Sequence, residues 1–436
     1  MPSDFRSTLA RRQVLQSLLG LGAWCVPAVR AEPTLQSIAT HAYPASATGQ
    51  NDAVFSDSGR LVVIFLRGAY DGLSAWVPHG DTHYLKLRPN IGIPAPDGTA
   101  QTTLKLDAHF GMHPAMASLL PLWQQGVLTF IPCAGSPTAT RSHFEAQHHW
   151  ETGVPGQSSA HDGWMNTLTR LRKSGRALSV GEANPEILLG SAAVQRVARG
   201  QAATRAGAMG DVRSRDAILK MYEGSDALSE AFRAGAQSRL QTTQTLNSAQ
   251  SMQANASMAA ADNGAGPAKG LLLDAQHLAT LMQQDRSLRQ GFLSAGGWDT
   301  HANQGATSGA VAQNLGDLAA TLVQLRRQFS EPNDVVMVVS EFGRTSAENG
   351  TRGTDHGHGN ALWLMGNSIN GGRWHGQWQG LAQSNLHEGR DLPVLHDFRA
   401  IFAQVLRRTQ GLNGAELDQI FAGLRWDHSL DGLLRA

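Results

Sequence analysis

Five short stretches of the chain are apolar at nearly every position: Leu61–Leu66, Val127–Ile131, Gly291–Ala295, Val335–Val339 and Ala361–Met365. A strand covered on both faces reads this way, because neither side of its pleat meets water. Between them the spacing turns helical. Val311, Leu315, Leu318, Leu322, Leu325 and Phe329 recur at intervals of four and three residues, and Pro332-Asn333 ends that helix. Weaker stripes at Met116, Leu119, Leu120 and Trp123, at Leu271, Ala275, Leu278 and Met282, and over His396–Leu406 predict further helices. Strands alternating with helices predict an α/β fold, a three-layer sandwich around a mostly parallel sheet.

Two regions depart from this rhythm. Ala203–Ala260 is rich in Ala, Ser, Gln, Arg and Met without a strand signal, which predicts a helical insertion spanning about residues 200–268. The N-terminus carries Arg11-Arg12 before an apolar run, Leu18–Val29, and a small-residue cleavage site at Val29-Arg30-Ala31. That pattern predicts a twin-arginine (Tat) signal peptide over residues 1–31, hence the Tat translocase as a partner and a periplasmic or secreted mature chain. The run is too short for a membrane span of about 20 residues, so no membrane span is expected in the mature chain. Residues 32–57 read as a linker, and 58–436 as one α/β domain carrying the insertion.

Composition narrows the partners. A net charge of +1 with 16% charged residues gives no basic stripe for nucleic acid. Of the 17 histidines, nine precede Asp162, seven follow Thr300, and His277 alone lies between. A histidine-bearing site would thus be assembled from the two ends of the chain. Cys25 falls inside the signal, leaving Cys133 with no partner for a disulfide.

The candidate chemistry lies where strands end. Asp71 follows the first strand, Ser142 follows the second, and Asp299 with His301 follows the third in Gly296-Gly297-Trp298-Asp299-Thr300-His301. Glu341 follows the fourth, with Arg344 close behind. Asp355-His356 sits in a glycine-rich loop before the last strand. Open α/β sheets place ligands at the carboxyl ends of their strands. In extended backbone, Asp299 and His301 share a face, so both reach one ion; oxygen with imidazole suits zinc, manganese or iron. Ser142 heads a polar helix where a hydroxyl meets the positive end of the helix dipole, and with Glu145 it also fits a capping box.

The runs Leu66–Leu73 (LRGAYDGL), Ser142–Gln147 (SHFEAQ), Gly296–His301 (GGWDTH), Ser340–Thr345 (SEFGRT) and Gly353–Asn360 (GTDHGHGN), behind a twin-arginine signal, resemble a bacterial exported family catalogued as a domain of unknown function. Its members are often labelled sulfatase-like. That family in turn resembles the alkaline phosphatase and sulfatase superfamily. The resemblance implies an alkaline-phosphatase-like fold and hydrolysis of phosphate or sulfate esters with one or two divalent ions, zinc or manganese. By strand order it implies Ser142 as nucleophile; in a catalytic site Arg344 is then expected to neutralise developing charge. It implies Asp71, Asp299, His301, Glu341, Asp355 and His356 as metal ligands, with either His356 as the final histidine or Asp355-His356 as a displaced pair. Phe342 stands where that superfamily carries a ligating histidine. The substrate implied is a small anionic ester or a saccharide. The competing expectation is a non-catalytic envelope or carbohydrate-binding protein on a degenerate hydrolase scaffold. A formylglycine sulfatase is disfavoured, since neither cysteine has the Pro-Ser-Arg context.

Overall fold

A computed structural model describes residues 59–157, 162–173, 175–182, 185–205, 207–209, 211–248 and 262–435. The expected signal (1–31) and linker (32–57) lie outside the described residues, as does part of the expected insertion.

Among the described residues the central sheet has nine strands: β1 (Leu61–Leu66), β2 (Leu128–Gly135), β3 (Arg176–Gly181), β4 (Val194–Ala198), β5 (Gly266–Pro267), β6 (Leu288–Gly296), β7 (Val335–Val339), β8 (Asn360–Gly366) and β9 (His396–Asp397). Their order is β9-β2-β8-β7-β1-β6-β3-β4, with β5 beside β6. All neighbouring pairs are parallel except the two that β8 makes, with β7 and with β2. The segment joining β7 to β8 contains no helix. A parallel return normally needs a crossover element, so the chain turns back and β8 runs antiparallel.

The apolar runs have the predicted cause. All six side chains of β1 are buried. Val62, Ile64 and Leu66 pack into one core with Leu278 and Met282 of α5 (Leu271–Gln284) and Leu315, Leu318 and Leu322 of α6 (Ala310–Gln328). Leu61, Val63 and Phe65 pack into the opposite core with Leu168 of α2 (Trp164–Leu171) and Ile401, Phe402 and Leu406 of α7 (Phe398–Gln410). Each such side chain removed from water contributes about 1.5–3 kcal/mol, so β1 is the anchor of both layers. The region expected as an insertion carries α3 (Val212–Lys220) and α4 (Ala227–Ser248).

Besides the two-residue β5 and β9, the strands β3 and β4 have no counterpart among the predicted apolar runs. They extend the sheet beyond β6, and their polar Arg176, Ser179, Gln195 and Arg196 hide the pattern. Because only β8 is reversed, the carboxyl ends of β1, β2, β6 and β7 and the amino end of β8 share one edge. Every predicted site motif exits there.

Candidate metal centre

The segment after β6 is held in a tight bend, Thr300 N–H donating to Trp298 O (2.9 Å) and His301 N–H to Asp299 O (3.2 Å). Both side chains turn to one point, where His301 Nε2 lies 2.9 Å from Asp299 Oδ1. His356, from the loop before β8, places its Nε2 3.0 Å from His301 Nε2 and 3.3 Å from Asp299 Oδ1. The fourth member is His143, the first residue of α1 (His143–Thr152). Its Nε2 is 3.1 Å from His356 Nε2 and 3.5 Å from Asp299 Oδ2. Ligand atoms of His143, Asp299 and His356 all lie within 4.8 Å of one another, and His301 closes on the same group from its solvent side.

The imidazole orientations are set from behind. His143 Nδ1 lies 2.8 Å from Glu341 Oε1, His301 Nδ1 lies 3.0 Å from Asp355 Oδ1, and His356 Nδ1 lies 2.8 Å from the Arg141 carbonyl. Each partner is a pure acceptor, so in the neutral rings the hydrogen is assigned to Nδ1 and a lone pair points inward from Nε2. The His356 Nε2 lone pair faces those of His143 and His301 at 3.1 and 3.0 Å, and such facing lone pairs beside a carboxylate repel unless a cation lies among them. Burial would lower the His143 imidazole, yet its hydrogen bonds to Asp299 and Glu341 push it up to about 9. Burial likewise opposes ionisation of Asp299, but hydrogen bonds from His143, His356 and Arg344 hold its carboxyl far below the usual carboxylate range. A proton is thus one cation the cluster attracts.

Three of these ligand atoms also stand where one metal ion could be held. Bonds of about 2.0–2.1 Å in a tetrahedral shell imply ligand separations of about 3.3 Å. Nε2 of His356 lies 3.1 and 3.0 Å from those of His143 and His301, and the Asp299 carboxylate meets His301 and His356 through Oδ1 at 2.9 and 3.3 Å and His143 through Oδ2 at 3.5 Å; the mutually close set is His143, Asp299 and His356, with His301 at its edge. Carboxylates and carbonyls on the far imidazole nitrogens are the arrangement that metal-bound histidines use. His301 is 44% exposed whereas His143 is 11%, so the centre opens to solvent on the His301 side.

The predicted residues therefore separate. Asp299, His301 and His356 are brought together. Glu341, Asp355 and Arg344 stand one layer out. Glu341 is buried and carries a Gly68 N–H at 2.7 Å besides His143; burial would raise its carboxyl, but His143 holds it down. Buried Arg344 donates to Asp299 Oδ1 (2.5 Å) and to the backbone carbonyls of Gly68, Ala69, Trp298 and Thr354, so its guanidinium is occupied rather than presented to a substrate. This corrects the charge-neutralising role expected of it.

Two expected members stand apart. Asp71 is buried against Arg88, with contacts of 2.6 and 3.0 Å, and accepts from Ser74 and Gln304. The ligand role drawn from its strand-exit position is replaced by a buried ion pair. Ser142 is exposed and caps α1, its Oγ accepting from Glu145 N–H at 3.5 Å. The Glu145 carboxylate turns to Thr140 Oγ1 (2.7 Å) instead of closing the predicted box. Phe342 stacks on the His143 ring, centroids 5.0 Å apart.

His143 was not singled out by sequence, although a signal exists: imidazolium at a helix N-terminus opposes the dipole, so a histidine there calls for an anionic partner or a ligand role. Backbone freedom matters at Gly68, whose φ is +106°. A Cβ there would lie 2.7 Å from Asp299 N.

A family profile described as "Protein of unknown function (DUF1501)" matches residues 58–421. The chain belongs to the DUF1501 family. A comparison with curated proteins finds no significant match. Among solved structures, this DUF1501 chain is similar to alkaline phosphatase from the Antarctic bacterium TAB5, at 13% identity over 81% of this chain and 99% of that one, with a TM-score of 0.35. It is similar to the PsFucS1 sulfatase from Pseudoalteromonas sp., at 11% identity over 81% and 68%, TM-score 0.35. The lipoteichoic acid synthase LtaP from Listeria monocytogenes is similar at 7% identity over 75% and 71%, TM-score 0.34. These likenesses are distant, and the chemistry of the centre rests on its own residues.

Proposed function

We propose that this DUF1501 chain is a divalent-metal protein, binding zinc or manganese through His143, Asp299, His301 and His356, and that it hydrolyses a small anionic ester of the phosphate or sulfate class. The observation that carries the reading is the close set of His143, Asp299 and His356 ligand atoms, all within 4.8 Å of one another, with His301 Nε2 2.9 Å from Asp299 Oδ1 and 3.0 Å from His356 Nε2 at its edge. Three nitrogens and one oxygen favour zinc over magnesium or calcium. A bound divalent ion supplies Lewis acidity toward an ester oxygen and acidifies water at neutral pH. The chain's own residues hold that chemistry in place. Glu341 and Asp355 fix the tautomers of His143 and His301, Arg344 fixes Asp299, and the exposed His301 edge admits the substrate. Arg11-Arg12 and the following apolar run support export through the Tat translocase to the periplasm, a route that carries folded protein.

A second reading, binding of a saccharide or an envelope component without turnover, is favoured by two observations. Ser142 spends its hydroxyl on the helix cap, and Phe342 occupies ring space beside His143 and His356. Aryl phosphate and aryl sulfate hydrolysis after zinc or manganese loading discriminates the two. The hydrolase reading expects metal-dependent release of the phenol. It is overturned if loaded protein is inert toward both ester classes. Ser142→Ala should weaken α1 by about 1 kcal/mol through its lost cap and leave metal content unchanged. A collapse of turnover at full metal content would restore Ser142 to the nucleophile role.

A further inference from the structure

Behind the centre lies a buried charged cluster that the proposed chemistry does not use. His143, Gln147 and Glu151 stand at four-residue intervals on α1, one face of the helix. Arg67, the residue after β1, is fully buried and reaches that face. Its Nη1 donates to Gln147 Oε1 (2.9 Å) and Glu151 Oε1 (2.8 Å), while Nε and Nη2 grip Glu182 at 3.2 and 2.9 Å. Ser294 Oγ donates to Glu182 (2.7 Å), and Glu151 also accepts from Ile187 N–H (2.9 Å). Guanidinium has donors only, so its contact fixes which way the Gln147 amide points. The amide nitrogen then donates to Glu341 Oε1 (3.1 Å), the same oxygen that faces His143 Nδ1.

We propose that Gln147, clamped by Arg67 with Glu151 and Glu182, is a positioning residue that sets how tightly His143 binds a metal ion. The clamp acts twice. It fixes the Glu341 carboxylate that orients the imidazole, and it fixes the register of α1 against the end of β1, where Gly68, the residue after Arg67, donates to the same Glu341 oxygen. This inference rests on the metal reading above.

The test uses cobalt(II) alone, titrated into metal-free full-length protein. Its visible absorption reports a four-coordinate nitrogen-oxygen shell, and zinc competition gives the relative affinity. Gln147→Met removes the donor and acceptor at similar volume. Gln147→Glu keeps the Arg67 contact but removes the donor to Glu341, so it serves if the methionine variant fails to fold. Outer partners of metal-bound histidines are worth about 10–100-fold in affinity. The expected result is at least a tenfold loss in both variants, with a changed cobalt spectrum and metal-free folds intact by circular dichroism, although the stranded buried groups lower the melting temperature. Variants that bind cobalt with wild-type affinity and spectrum, or more tightly, would overturn the clamp alone. Wild-type protein that takes up no cobalt would overturn the clamp together with the metal reading.

Discussion

Changing Glu341 separates the fold from the centre. Glu341 Oε1 faces Gly68 N–H (2.7 Å), His143 Nδ1 (2.8 Å) and the Gln147 amide (3.1 Å), and Ser340 Oγ lies 3.0 Å from Oε2. Glu341→Ala strands three buried donors. At about 1–3 kcal/mol for each unsatisfied group, the loss reaches about 3–9 kcal/mol, comparable to the roughly 5–15 kcal/mol that holds a domain together. That variant should fail to accumulate as folded protein. Glu341→Gln keeps the shape and an acceptor oxygen toward Gly68 and His143. The amide nitrogen can face Ser340 Oγ, because that hydroxyl already has Leu66 O as an alternative acceptor at 2.6 Å. What is lost is the negative charge behind His143, so zinc affinity should fall about 10–100-fold, roughly 1.4–2.7 kcal/mol. The assay is competition against a chromophoric chelator, with metal-free thermal melts recorded in parallel. Glu341→Gln binding zinc as tightly as wild type would refute the ligand-orienting role, and a folded, metal-binding Glu341→Ala would refute the geometry behind it.

Two further outcomes follow from groups outside the centre. Asp71→Asn leaves Arg88 buried without its carboxylate partner, so it should destabilise by about 3–5 kcal/mol while metal stoichiometry stays the same; a drop in metal content at preserved stability would return Asp71 to the ligand set. His277, buried and with no hydrogen-bond partner for its Nδ1 among the described residues, is lowered by desolvation to about 4. Because its folded value lies below the ordinary value of about 6.5, the neutral ring stabilises fully above that pH. The stability is lost as pH falls toward 4, when the unfolded chain takes up the proton first. At about 1.4 kcal/mol per unit the limit is about 3 kcal/mol, and His277→Leu should flatten that limb of a pH–melting curve; an unchanged limb would contradict it.

The sequence made the frame legible wherever one physical rule dominated. β1, β7 and α6 stood out because burial on both faces, or on one helical face, leaves a periodic trace. β3 and β4 did not, since strands bearing Arg176, Ser179, Gln195 and Arg196 lose that trace. The centre was half legible for a related reason. Position after a strand marks a residue as near the site edge, and Asp299, His301 and His356 follow from that. Position does not reveal what a carboxylate pairs with. Asp71 meets Arg88, which lies 17 residues on in a segment without periodicity, and Glu341 turns behind an imidazole instead of in front of one. His143 was overlooked because the hydroxyl beside it drew the reading, although the histidine asymmetry along the chain already pointed to its half of the molecule.

The most direct test is the metal content of the folded protein, measured by mass spectrometry on wild type and on His143→Ala, Asp299→Ala and His301→Ala. The account predicts about one equivalent of zinc or manganese per chain in wild type and a clear loss in each variant, with the folds intact by circular dichroism. Wild-type protein that holds no transition metal even after loading, or variants that keep a full equivalent, would contradict it.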